Sequence, residues 1–267
     1  MSTPAVDYIR FAVLGDSASY GVGDPTPQGW RGWARILAEA IAVEHHVSFC
    51  NLAVPGAVVA DVRRGQLSEA LAHRPVVASL VVGLNDVLRS NWDPEQIRAD
   101  LLHCAGELAR QGAVVMTVRF HDHTRVLGVP GILARPLRRR IAVLNEIYDE
   151  VHEQYGTLRL DLASDAAICS RELWAFDRLH PSELGHRWLA HRIGMLLNSE
   201  GLAFSAPSLR CTSTPPGPRD KVRTLLTDVA PWLGRRLRGV APCVAREGLR
   251  RTAIRWSFHR RPEPSVR

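Results

Sequence analysis

A serine, a histidine and two side chains able to assist them stand at suggestive places in this chain. Ser17 follows Gly15-Asp16 at the end of an apolar run, and Asp177 and His180 lie three residues apart far downstream. A serine hydroxyl is a weak nucleophile until a base takes its proton. His180 can be that base, and Asp177 on the other imidazole nitrogen would fix the tautomer and stabilise the imidazolium. Attack on a carbonyl builds an oxyanion, for which the backbone N–H groups of Ser17 and Gly56 and the side-chain amide of Asn85 are candidate donors. One such donor is worth ~3 kcal/mol in a transition state. Glycine at 56 also lets the backbone approach a reacting group closely. Nucleophile, base, carboxylate and oxyanion donors are the parts acyl transfer requires.

Something must bring these residues together. Residues 8–14, 47–54, 76–82, 113–119 and 157–161 read as strands, several of them nearly continuous apolar runs of the kind a parallel sheet buries on both faces. Helices are expected over 29–44, 58–72, 94–111, 137–155 and 181–199, with Asp93-Pro94 as cap and first residue of the third and a loop over 121–135. Strands alternating with helices indicate an α/β fold with a central parallel sheet. In such sheets ligands bind beyond the carboxyl ends of the strands. Asp16-Ser17, Gly56 and Asn85-Asp86 all follow predicted strands, and Asp177–His180 precedes the last helix.

At these residues the chain resembles a known family. Gly15-Asp16-Ser17, Gly56, Gly83-x-Asn85-Asp86 and Asp177-x-x-His180 are similar to the four blocks of the SGNH hydrolases, also called GDSL esterases/lipases. Each block alone is weak, but four in order at fitting separations are specific, and the resemblance runs from about residue 9 to residue 199. Residue 18 is Ala where the family name has Leu, at a position that varies among relatives. The resemblance implies a flavodoxin-like α/β/α sandwich with a five-stranded parallel sheet in the order 2-1-3-4-5. It also implies a metal-independent Ser-His-Asp esterase without a cofactor, acting on a small-molecule ester. Ser17, Asp177 and His180 would be catalytic, and Ser17, Gly56 and Asn85 would form the oxyanion hole. An O-deacetylase or acyltransferase of the same fold is an alternative, and so, from another class, is a binding module without turnover.

Other polar residues have two readings. Asp86 can cap a helix or line the substrate cleft. His121 and His123 have metal-like spacing but no third ligand at a recognisable distance, so no metal is expected there; they can line the cleft or serve structure. No Gly-x-Ser-x-Gly elbow, phosphate-binding Gly-Lys-Ser/Thr loop or His-Glu-x-x-His occurs, which argues against the hydrolase and nucleotidase classes those sequences mark.

The composition suits a globular domain with an extension: 267 residues, 46% hydrophobic and 23% charged. Charge is uneven. Residues 205–267 hold 14 Lys and Arg against 4 Asp and Glu, although the whole chain carries only +7. We expect a catalytic domain over 1–204, a Ser/Thr/Pro-rich linker over 205–219 and a basic amphipathic helical extension over 220–267. Leu225, Trp232, Leu237 and the neighbouring arginines make an anionic membrane surface a candidate partner of that extension, and nucleic acid a weaker one. Five scattered cysteines fit a reducing compartment. With no apolar stretch of membrane-spanning length and no leader pattern at the N-terminus, a cytoplasmic location, with peripheral membrane contact through the extension, is the expectation.

Overall fold

A computed structural model describes residues 7–212 together with Gly217. Five strands form one sheet: β1 (Tyr8–Gly15), β2 (His46–Asn51), β3 (Val77–Val81), β4 (Val114–Arg119) and β5 (Leu158–Asp161). Every pairing is parallel, and the spatial order is β2-β1-β3-β4-β5. The middle of the sheet is dry. Phe11, Ala12, Val13 and Leu14 of β1 and Ala78 and Leu80 of β3 are fully buried, which is why these strands read as unbroken apolar runs.

The main helices are α1 (Ser17–Tyr20), α2 (Gly32–Ile41), α3 (Leu67–His73), α4 (Pro94–Arg110), α5 (Gly131–Tyr155) and α6 (Glu183–Ser199). α2 packs on α6, and α4 packs on α5. The sheet is thus flanked by helices, and the chain is an α/β sandwich of the expected class.

Several boundaries differ from the sequence expectation, each for a physical reason. The helix expected over 29–44 begins only at Gly32, because Pro25–Thr26 and Gly29–Trp30 pair as a short antiparallel hairpin. Trp30, inside the expected helix, lies in this hairpin and is exposed. The helix expected over 58–72 is broken by a wide turn with i→i+5 bonding at Val62–Gln66. The loop expected over 121–135 contains a short helix, His123–Leu127, and the first turn of α5. Pro136 argues for a later start, but α5 runs through it. Burial of Ala134, Leu137, Ile141 and Leu144 along one face outweighs the amide donor a proline lacks. α6 starts at Glu183, where the Ser182 hydroxyl caps it by accepting from the Gly185 N–H at 3.1 Å.

Residues 205–212 lie along α6. The Pro207 carbonyl meets His191 Nδ1 at 3.0 Å, and the Thr212 N–H donates to Glu183 Oε1 at 2.7 Å. The extension over 220–267, with its membrane and nucleic-acid readings, lies outside the described residues. No helix among the described residues is long and apolar enough to cross a membrane.

Candidate active site

β1 must end abruptly for Ser17 to be presented. Gly15 permits this, because a Cβ there would sit 2.5 Å from the Val81 carbonyl oxygen and 2.6 Å from Ser19 Oγ. The sheet no longer supplies both of its partners at this point. Gln66 substitutes for a strand: its Oε1 accepts from the Gly15 N–H at 2.8 Å and its Nε2 donates to the Gly15 carbonyl at 2.9 Å, both within the core. The wide turn is what carries Gln66 to that position. Asp16 then caps α1 by accepting from the Ala18 N–H at 3.1 Å.

The distant block arrives from the other end of the chain. His180 Nε2 lies 2.9 Å from Ser17 Oγ, and His180 Nδ1 lies 2.6 Å from Asp177 Oδ2. The second carboxylate oxygen, Asp177 Oδ1, accepts the N–H groups of Leu179 at 2.8 Å and His180 at 3.0 Å. Burial works to raise the Asp177 pKa. The His180 ring and the two backbone donors prevail and hold it below the usual carboxylate range. An ionised Asp177 places the imidazole proton on Nδ1 and leaves Nε2 able to accept from the serine. Arg178, between them, holds a left-handed φ of 56°.

A second contact fixes this loop against the nucleophile side. Gly23 approaches Pro181 so closely that a Cβ would lie 2.0 Å from its carbonyl oxygen. His186 is fully buried; Nδ1 accepts from the Trp33 N–H at 3.2 Å, so Nε2 carries the proton and donates to the Val22 carbonyl at 3.0 Å. Burial pulls its pKa down to about 4, keeping it neutral. Arg31 ties the same loop down, bonding Asp24 at 2.9 Å and Glu183 at 2.9 Å. Sequence reasoning passed over Gln66, Arg31 and the latch made by His186. The polar residues inside otherwise apolar helical faces were the available signal.

Asn85 joins three of the sequence blocks. Its Nδ2 donates to the Ala57 carbonyl at 3.0 Å and to Asp16 Oδ2 at 3.2 Å, linking it to the neighbours of both Gly56 and Ser17. The N–H groups of Ser17 and Gly56 donate to no acceptor among the described residues. Gly56 has φ 84°, and Arg89 reaches its carbonyl at 3.4 Å.

Asp86 ties two of the sequence blocks together. It is buried, and its Oδ2 accepts the Val59 N–H at 3.2 Å, fastening the third block to the segment after Gly56. Burial, with a contribution from nearby Asp16, pushes its pKa up to about 7. His121 and His123 do line a cavity, whose walls also include Ala18, Phe120, Trp174 and Leu179. Ala18 and Leu179 are the chain neighbours of Ser17 and His180, so this cavity lies beside the serine–histidine contact.

The sequence profile described as the GDSL-like lipase/acylhydrolase family matches residues 13–188. The chain belongs to this family. Among curated relatives, an acetylxylan esterase of Geobacillus stearothermophilus is 24% identical over 162 residues, 58% of this chain and 74% of that protein. Among solved structures, Axe2, an acetylxylan esterase from Geobacillus stearothermophilus, aligns with a TM-score of 0.58 at 18% identity, over 76% of this chain and 97% of its own. TesA aligns at 0.56 and 22% identity, over 73% of this chain and 99% of its own. At such identities the structural matches speak for the fold, and the family membership makes the chain an ester-bond hydrolase.

Proposed function

We propose that this hydrolase uses Ser17 as nucleophile, His180 as general base and Asp177 as the group that orients the imidazole, cleaving carboxylic esters through an acyl-Ser17 intermediate. The observation that carries the reading is the unbroken chain Ser17 Oγ–His180 Nε2 at 2.9 Å and His180 Nδ1–Asp177 Oδ2 at 2.6 Å. His180 takes the serine proton as Oγ adds to the substrate carbonyl. The oxyanion forms against the backbone N–H groups of Ser17 and Gly56, which have no internal acceptor among the described residues. Asn85 adds a third donor when its amide turns from Ala57 or Asp16 toward the new charge. His180 then protonates the leaving alkoxide, and a water activated by the same nitrogen releases the acid.

The cavity beside the pair is small, about 70 Å³, which favours a short acyl group. With a relative described as an acetylxylan esterase, this supports O-deacetylation as the second reading. A non-catalytic module would have no use for so complete an array.

The test is labelling by a fluorophosphonate and hydrolysis of p-nitrophenyl acetate, each with wild type and Ser17→Ala. Labelling and turnover present in wild type and absent from the folded variant support the reading. Wild-type turnover by Ser17→Ala refutes it.

A further inference from the structure

Ser17 and His180 lie 163 residues apart in sequence and must meet within one hydrogen bond. One side chain spans the segments that carry them. Arg31, at the N-terminus of α2, holds Asp24 in a fork, Nε to Oδ2 at 2.9 Å and Nη2 to Oδ1 at 3.0 Å. The same Nη2 donates to Glu183 Oε1 at 2.9 Å. Glu183 is the third residue after His180. Asp24 leads back to the nucleophile: its N–H donates to the Gly21 carbonyl at 3.2 Å, and the Gly21 N–H donates to the Ser17 carbonyl at 3.1 Å.

A second arm of this cluster comes from beyond residue 204, where the sequence suggests a linker. The chain there runs back along α6 toward its N-terminus. Phe204 exchanges two bonds with Asn198, the Pro207 carbonyl meets His191, and the Ser208 carbonyl accepts from Arg187 Nη1 at 3.3 Å. Thr212 then reaches Glu183. From Asn198 to Glu183 this is roughly 22 Å of helix at 1.5 Å per residue. The strap therefore ends on the carboxylate that Arg31 holds. The Thr212 N–H donates to Glu183 Oε1 at 2.7 Å, and Thr212 Oγ1 accepts from Arg187 Nη2 at 3.1 Å and Arg31 Nη1 at 3.4 Å.

Two acids and two arginines thus balance in a nearly dry cluster. The side chains of Asp24, Arg187, Glu183 and Arg31 are 0%, 10%, 11% and 16% exposed. Desolvation offsets much of the attraction in such pairs, so they contribute little net stability. What a planar, forked guanidinium supplies is orientation. Here it orients the segment that follows the nucleophile against the one that follows the base. Turnover is sensitive to that geometry, since a misplacement of about 1 Å can cost about 10²-fold.

We propose that Arg31 is a positioning residue for catalysis, setting the separation of Ser17 Oγ and His180 Nε2, and that Thr212 acts through it. The strap over 204–212 then belongs to the working site and is not a linker. This rests on the esterase reading above. The cavity beside Ser17 is walled by other residues, so Arg31 and Thr212 act on kcat through the two loops and not on KM through contact. Acylation and deacylation both use the Ser17–His180 pair, so kcat falls whichever step limits.

The test is a double-mutant cycle in the full-length protein with p-nitrophenyl acetate, each variant first shown to be folded at the assay temperature. Arg31→Lys keeps the charge but cannot hold Asp24 and Glu183 with one planar fork. Its kcat should fall about 10–100-fold, with KM within about threefold of wild type. Thr212→Val removes the hydroxyl and keeps the N–H, and should lower kcat about 2–10-fold, the worth of one hydrogen bond. In the double variant Thr212→Val should cost nothing further, because it acts through Arg31. If Arg31→Lys does not fold, Glu183→Gln, which keeps an acceptor oxygen and loses the charge, takes its place in the cycle. A purely structural role would lower Tm and leave the kcat of the folded protein alone. Unchanged kcat in the folded Arg31 or Glu183 variant, a loss carried by KM instead, or additive losses in the double variant overturns the proposal and leaves the esterase reading standing. A wild-type protein that neither cleaves p-nitrophenyl acetate nor reacts with the fluorophosphonate refutes the esterase reading and this inference with it.

Discussion

Asp86→Asn should stabilise the protein at neutral and alkaline pH and do nothing of the kind in acid. Asp86 is 9% exposed, beside Asp16, and burial moves its pKa from 3.8 to about 7. In the unfolded chain it loses its proton near pH 4; in the folded protein it keeps the proton until about pH 7. Between those values the unfolded state binds fewer protons, so stability falls as pH rises, and it levels off once both states are ionised. At 1.36 kcal/mol per pKa unit the accumulated penalty is roughly 4 kcal/mol. An asparagine cannot ionise, and its side-chain oxygen can still accept the Val59 N–H that Asp86 Oδ2 holds at 3.2 Å. The variant should therefore match wild type near pH 4 and exceed it by up to roughly 4 kcal/mol at pH 8, or roughly 8–16 °C in Tm. Thermal and urea unfolding of both proteins at pH 5, 6, 7 and 8 measure this. No gain at pH 8, or the same gain at pH 5 and pH 8, would show that Asp86 is not held protonated by burial.

Three further outcomes follow from the site. Asp177→Asn should stay folded and lose about 10³–10⁴ in kcat, because two backbone N–H groups pin the side-chain oxygen and turn the amide NH₂ toward His180 Nδ1. That forces the imidazole proton onto Nε2, where it cannot accept from Ser17; steady-state kinetics with p-nitrophenyl acetate near the wild-type rate would contradict it. Gln66→Leu should cost about 1–3 kcal/mol in urea unfolding, since it strands the Gly15 N–H in the core, while the Gly15 carbonyl keeps the Val54 N–H at 3.2 Å; a loss below about 1 kcal/mol would mean the clamp is dispensable. Ending the chain after Thr212 should preserve ester hydrolysis, whereas ending it after Ala203 removes buried Phe204 and the bonds to His191 and Glu183 and should lower Tm. Equal Tm for the two truncations would show that 204–212 contributes nothing.

The sheet was legible because buried parallel strands leave a direct trace. Runs such as Val76–Val82 admit no polar residue except Ser79, and each run ends in small or polar residues where the chain turns toward the site. The candidate blocks were legible for the same reason, since Ser17, Gly56 and Asn85 follow the ends of β1, β2 and β3. What escaped were interactions across large separations. Nothing around Gln66 announces that its amide completes the hydrogen bonding of Gly15, 51 residues away. Nothing around Asn145 announces that it holds Phe120. Pro136 misled by a local rule that a whole buried helical face overrode. The helix start expected at residue 29 misled because a short antiparallel hairpin takes Gly29 and Trp30 out of the helix.

The wide turn at Val62–Gln66 makes this arm of the protein sensitive to length as well as to composition. An i→i+5 turn accommodates a residue that a regular helix would leave out. Deleting a single codon between Val62 and Gly65 would allow the segment to close as continuous α-helix, with its backbone bonding intact. It would also rotate everything beyond the cut by about 100° relative to what precedes it. Val59 and Gln66 could then no longer face the core together. Such an in-frame deletion would preserve every one of the sequence blocks that mark the family and still release the end of β1. Unimpaired turnover by the deletion protein would show that this register is not required. For this chain, a complete set of signature residues is therefore not sufficient for a working site; the number of residues between the second and third blocks must be right as well.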